Sequence, residues 1–537
     1  MEINQRLVIA AALTCLANTT AQAVHVSQNG TGQVLLYPYY NVNEGNITFV
    51  SVTNTTDLVK AVKVRFREAV GGESVFDFTL YLSPRDVWVG ALSQQSGAVR
   101  LSIPADSSCT VPGTAELEAA SFSSARIDPA YDPNRDDTQS AAEVLARLSE
   151  GHIEVIEMAE LPYTTLGTDI ATAVSQERRA IPIQRSDCSV PVTFNASSGL
   201  GAILDAGIVT ASGVSQDFAN PGGGLFGEAA IFNANSGIYF PYNATALKQF
   251  AEGPIWWPQN DQPFTAVEGV AGGLDSAGYP VANYRTADSG SLLPALTPNA
   301  DLPDLSTPTT AEVSADMSTY HVISNHAVTS TPVINTGSFA GAVTAGNRAR
   351  DDKASAVSAA LTGHAVMIPH ITSGDYSTDW VITFPTRYTK VSDSIDDQYR
   401  APFTSIESPD SGSACHIVDI SLWNREGDIR PVFDFGISPV VPPRLCYEVN
   451  VLDINGSAEF SDSISSNAVK TDELLGDDFL DGWAIIDLSD YSATPVAGSD
   501  PAVVTGLPVL GFSALADTVS GTERGGVFSS RIVVDEQ

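Results

Sequence analysis

The strongest constraint on this chain is a period of two in its apolar residues. Along 61–68, Val62, Val64 and Phe66 alternate with Lys63, Arg65 and Arg67. Along 75–82, Phe76, Phe78, Leu80 and Leu82 alternate with Asp77, Thr79 and Tyr81. Successive side chains of a strand leave on opposite faces, so each run predicts a strand with one buried and one wet face. Gly71-Gly72 lies between the two runs and predicts a hairpin.

The same reading predicts strands at 33–39, 46–54, 86–93, 98–103, 152–158, 190–195, 225–232 and 236–240. In the second half it predicts 319–324, 364–369, 379–384, 416–423, 446–454, 482–488, 507–512 and 527–534. Helical signal is sparse, with Ser140–Glu150 and Lys353–Leu361 the best candidates, both short and Ala-rich. Many short strands between Gly, Pro, Asn and Ser turns predict an all-β chain of two or more β-sandwich-like domains. The stretch 252–315, rich in Gly, Pro, Asp and Ser, reads as a long excursion or linker. It separates an N-terminal β-sandwich region, 24–251, from a C-terminal one, 316–537. Leu36-Tyr-Pro-Tyr-Tyr-Asn41 and Tyr239-Phe-Pro-Tyr-Asn243 echo one another, both in the first half. An outer-membrane barrel is a poor match, since aromatics are 8% and the irregular stretches are long.

Residues 1–23 have the form of a signal peptide. Arg6 precedes the apolar run Leu7–Ala17, and Ala21-Gln22-Ala23 is a small-x-small cleavage site. No later stretch approaches the roughly 18 apolar residues of a membrane helix, so no membrane span is expected. Cleavage removes Cys15 and leaves Cys109, Cys188, Cys415 and Cys446. An even set in an exported chain predicts disulfides, and four cysteines allow three pairings. Cys109–Cys188 with Cys415–Cys446 is favoured because each pair lies within one half of the chain. The composition sets the partners. Sixty-three acidic residues against 27 basic ones give a net charge of −36, which repels nucleic acid and anionic membranes.

Several segments resemble a family of uncharacterised exported cell-surface proteins of Gram-negative bacteria. They are Val34-Leu-Leu-Tyr-Pro-Tyr-Tyr40, Ala61–Glu68, Phe78-Thr-Leu-Tyr-Leu-Ser-Pro-Arg-Asp-Val-Trp88, Glu150-Gly-His-Ile-Glu-Val-Ile-Glu-Met158, Asp379-Trp-Val-Ile-Thr-Phe-Pro-Thr386 and Gly506-Leu-Pro-Val-Leu-Gly-Phe512. The likeness spans most of the chain and implies an exported, β-rich, surface-associated protein. It carries over no active-site residue.

Chemical motifs are few. In the twelve residues from Asp132, the side chains of Asp132, Asn134, Asp136, Thr138 and Glu143 fall at calcium-loop positions. Asp137 stands where such loops need their turn glycine. The same residues also fit a polar loop capping a short helix, with Asp or Thr as N-cap. Two acidic clusters, Asp393 with Asp396 and Asp397, and Asp472 with Glu473, Asp477 and Asp478, read as solvated loops. Trp256-Trp257 is a candidate binding pair for a sugar or a protein partner, or else a loop anchor. No catalytic residue is assigned, because Gly511-Phe-Ser513-Ala-Leu515 lacks the final glycine of a nucleophile elbow and the seven histidines are scattered.

These features predict a secreted structural or adhesive surface protein that self-associates or touches other surface components, with calcium as the one candidate cofactor. The alternatives are a carbohydrate-binding adhesin that takes glycans and a secreted hydrolase with dispersed carboxylates.

Overall fold

The structure is a computed structural model. It describes residues 24–124, 140–161, 219–251, 355–389, 415–431, 443–454, 462–469, 477–491, 505–519 and 522–533, with a few shorter pieces between them. The predicted strands at 190–195 and 319–324 lie outside these residues.

The first half contributes β1 (Val34–Asn41), β2 (Asn46–Asn54), β3 (Val59–Glu68), β4 (Ser74–Leu82), β5 (Val87–Gln95), β6 (Ala98–Ser102) and β7 (Cys109–Val111). Two helices follow, α1 (Thr114–Ala119) and α2 (Ala141–Leu148), then β8 (Glu150–Leu161), β9 (Leu225–Asn233), β10 (Tyr239–Asn243) and β11 (Thr245–Lys248). The second half contributes α3 (Ser355–Leu361), β12 (Ala365–Ile371), β13 (Tyr376–Thr383), β14 (Asp419–Asn424) and β15 (Ile429–Pro431). It continues with β16 (Val449–Ile454), β17 (Ser466–Val469), β18 (Asp481–Asp487), β19 (Leu510–Val519), β20 (Thr522–Ser529) and β21 (Arg531–Val533).

The described strands form four large sheets. Sheet I has the order His25–Val26, β11, β1, β8, β3, β4, β7, and sheet II the order β10, β9, β2, β5, β6. Sheet III runs β17, β16, β13, β19, β20, and sheet IV runs β15, β14, β18, β12, β21. Pairing within them is antiparallel except between β16 and β17. The all-β reading holds. The hairpin at Gly71-Gly72 joins β3 to β4, with Val62 opposite Leu80 and Val64 opposite Phe78.

Sheets I and II bury the predicted apolar set. Val62, Val64, Phe66, Phe76, Phe78, Leu80 and Leu82 share one core with Trp88, Leu35 and Tyr37. Phe76 stacks on Phe122 at 5.0 Å between centroids, which seats the segment after α1 on the sandwich. Sheets III and IV enclose a second core of Trp380, Ile382, Leu452, Ile368, Ile420, Leu422 and Ile486. The two halves are not separate beads. Val381, Val449, Val451, Phe512 and Ala514, on the other face of sheet III, belong to the core of the first half. Tyr242 stacks on Phe512 at 4.9 Å, and Val449 N–H donates to Ala69 C=O at 2.9 Å. The two aromatic–Pro–aromatic echoes also meet, since the Tyr242 hydroxyl donates to Tyr39 C=O.

Both predicted disulfides are present. Cys109–Cys188 holds the edge strand β7, with 5.1 Å between Cα atoms. Cys415–Cys446, at 3.9 Å, ties the segment before β14 of sheet IV to the segment before β16 of sheet III. Loops of 79 and 31 residues are worth about 4 kcal/mol each in the chain-entropy view. Among the described residues no helix is long and apolar enough to cross a membrane.

Candidate functional site

Among the described residues, two sheet faces gather charged or aromatic side chains, and the first corrects the sequence reading. The outer face of sheet I, expected to be wet, is buried: every residue of β3 and of β4 is withdrawn from solvent. Lys63, Arg65 and Arg67 project there from β3, His152 and Glu154 from β8, and Asp77 from β4. Burial is tolerated because the signs alternate across neighbouring strands. Arg67 Nε lies 2.6 Å from Glu154 Oε1, and Arg65 lies 3.7 Å from Glu154 and 3.6 Å from Asp77. The cover comes partly from residues distant in sequence. Gln259, from the predicted excursion, donates through Nε2 to Asp77 Oδ1 at 2.6 Å and accepts from Lys63. From the second half, Tyr388 places its ring 3.6 Å under the Arg67 guanidinium.

Protonation follows from these neighbours. Burial pushes the Glu154 carboxyl up, but Arg67, His152 and Arg65 outweigh it and hold it down to about 2. Burial lowers His152, favouring the neutral ring. Glu68 is buried too, yet Arg147 and the N–H groups of Val70 and Gly71 keep it below its ordinary value. Where the halves meet, burial wins. Glu150 is pushed up to about 7 while accepting from Ile464 N–H at 2.6 Å and Tyr39 Oη at 2.8 Å. Glu448 is raised by burial as well, although Arg387 and Arg67 pull it down. Gly72 is required here: its φ is +69°, and a Cβ would sit 2.8 Å from both Glu448 Cδ and Tyr388 Cβ. This layer joins the two halves.

The second face is left open by the described residues. On sheet IV, Ile420, Leu422, Ala484 and Ile486 point inward, so the opposite parity points out. Trp423 is paired with Ile429 on one side and Trp483 on the other, and Trp483 is paired with Pro369. The result is an apolar row across four strands. Trp423 and Trp483 stack with centroids 4.4 Å apart and planes 11° from parallel. Ile429 is 56% exposed and Trp483 36%. Arg425, Arg531, Asp419 and Asp487 share the outward parity around the row, and Arg425 pairs with Asp481 at 2.9 Å.

The candidate residues from sequence fare unevenly. Trp256, Trp257, Asp132, Asn134, Asp136 and Thr138 lie outside the described residues. Glu143 is described, and its carboxylate accepts from Ser140 N–H at 2.6 Å while Ser140 Oγ accepts from Glu143 N–H. That is a capping box opening α2, so Ser140 is the N-cap rather than an Asp or Thr. Among the described residues no group of three or more His, Cys, Asp or Glu is arranged to hold a metal ion. Sequence reasoning missed Trp423 and Trp483, although each stands at outward parity in a predicted strand.

Comparison with known proteins gave no matching family model, no matching curated protein and no matching solved structure.

Proposed function

We propose that this is a secreted structural or adhesive cell-surface protein that works by self-association, with the outer face of sheet IV as its contact surface. The Trp423–Trp483 stack carries this reading, because a large aromatic pair stands on an open sheet face beside exposed Ile429. An aromatic centre with an arginine-containing polar rim has the composition of a protein interface. The stack also favours a protein partner over a glycan. A sugar ring needs an open aromatic face, whereas these two indoles cover one another's facing sides. Two disulfides and a continuous core suit a body exposed outside the cell. Calcium is proposed as a bridge between acidic neighbours in the assembly.

The test is light scattering of the purified full chain at high salt, with and without calcium. Particles that grow with concentration are expected, and the Trp423→Ser/Trp483→Ser pair should stay monomeric with an unchanged circular dichroism spectrum. A wild-type chain that remains monomeric in every condition overturns the proposal.

A further inference from the structure

A further buried group lies apart from the outer layer of sheet I. Lys60 shares the parity of Val62 and Val64, so it lies on the sandwich side of β3, where the strand leaves the core. Its Nζ is 2.6 Å from Glu157 Oε1 and 2.7 Å from Glu160 Oε1. The side chains of Lys60 and Glu157 are fully buried, and Glu160 is 12% exposed. A bulge in β8 makes this convergence. Ala61 faces Ala159 and Val62 faces Glu157, which leaves Met158 as the extra residue.

The segment after Ala219 closes over the group. Ala219 and Glu160 exchange backbone hydrogen bonds of 2.8 and 3.1 Å. Gly223 N–H then donates to Glu157 Oε2 at 2.8 Å, and Gly222 N–H donates to Oε1 at 3.1 Å. Gly223 has φ +77°, and a Cβ on Gly222 would lie 2.3 Å from Glu160 Oε1. An amine, a carboxyl group, two N–H donors on that carboxyl and a second carboxylate on the amine are therefore held together away from water.

We propose that Lys60 and Glu157 become joined by an intramolecular amide bond that the folded chain forms on itself. Glu160 takes a proton from the Lys60 ammonium. The freed amine attacks Cδ of the protonated Glu157, and the negative charge develops on the oxygen facing Gly223 N–H. The tetrahedral centre collapses as a proton from the attacking nitrogen passes to the other oxygen, which leaves as water, and Glu160 keeps the proton it took from Lys60. One C–N bond forms, one C–O bond breaks, and no oxidant or cofactor is needed. Burial raises Glu157 to about 7, which supplies the carboxylic acid form that the step requires. Two desolvated charges disappear, which favours the product. The link would fasten β3 to β8 inside the sandwich. Lys63 and Asp77 provide an internal control, because their charged atoms are 3.5 Å apart and Gln259 contacts both.

Intact-mass spectrometry of the reduced full chain tests this, with fragmentation to fix the N-terminus and locate any cross-link. The expected mass is lower by one water, with a branched peptide joining Lys60 to Glu157 and linear peptides at Lys63 and Asp77. Lys60→Arg should restore the full mass. Glu160→Gln, checked for native circular dichroism, should slow formation by about a hundredfold. Full mass with linear Lys60 and Glu157 peptides in the wild-type chain overturns the proposal. A normal rate in Glu160→Gln overturns the role of Glu160.

Discussion

The outer faces of sheets I and IV invert the usual relation between polarity and burial. On sheet I, Lys63, Arg65, Arg67, Asp77 and Glu154 are buried. On sheet IV, Trp483 and Ile429 are exposed. Both faces alternate with a proper core face, so the strand pattern alone does not separate them. What separates them is the neighbour. Tyr388 of the second half and Gln259 cover part of sheet I and contact its charges, whereas the described residues leave sheet IV open. A polar strand face is thus a joint when its charges are matched, and the apolar face left bare is the one proposed above as a contact surface.

The sharpest way to break this comparison is to remove one charge from the joint. Arg67→Ala leaves Glu154 buried without its closest partner and should cost about 3–5 kcal/mol in urea unfolding. Loss of the Cys415–Cys446 bridge, which ties the segments leading into sheets III and IV, should cost about 3–4 kcal/mol in a double Ser variant.

The pH dependence separates members of the joint from one another. Glu154, lowered to about 2 from an ordinary 4.5, stabilises the fold above pH 4.5, and that contribution fades as pH falls toward 2. Glu150, raised to about 7, has the opposite sign: its contribution is full below pH 4.5 and is lost as pH rises through 7. Thermal unfolding of Glu150→Gln should therefore vary less between pH 4.5 and 7 than wild type, by about 3 kcal/mol. The smallest effect belongs to the open face. Trp483→Ser should change urea stability by less than about 1 kcal/mol, since the side chain is only partly buried. A cost as large as that of Arg67→Ala would erase the contrast between the faces.

Much of the fold was legible because alternation fixes strands locally. The strand predicted at 46–54 is β2, and both helix candidates are present as α2 and α3. α1 was not anticipated, as its six residues carry too little periodicity. The burial of sheet I was harder to read, because cover from residue 259 or 388 leaves no mark within 61–68. One signal was available: four of the chain's 27 basic residues stand at positions 60–67 of a strongly acidic protein. Such scarce cations gathered on one strand point to matched acids rather than to solvent. Trp423 and Trp483 were legible in principle, since each is out of phase with its strand's core residues. Their stacking was not, because it depends on the register of β14 against β18.

Hydroxyl-radical footprinting of the full chain, dilute and assembled, tests most directly whether sheet IV is the contact surface. The account predicts that Trp423, Trp483 and Ile429 become protected on assembly, while Phe49 and Val87, exposed on β2 and β5, stay as reactive as before. Assembly that leaves those three residues fully reactive would contradict it.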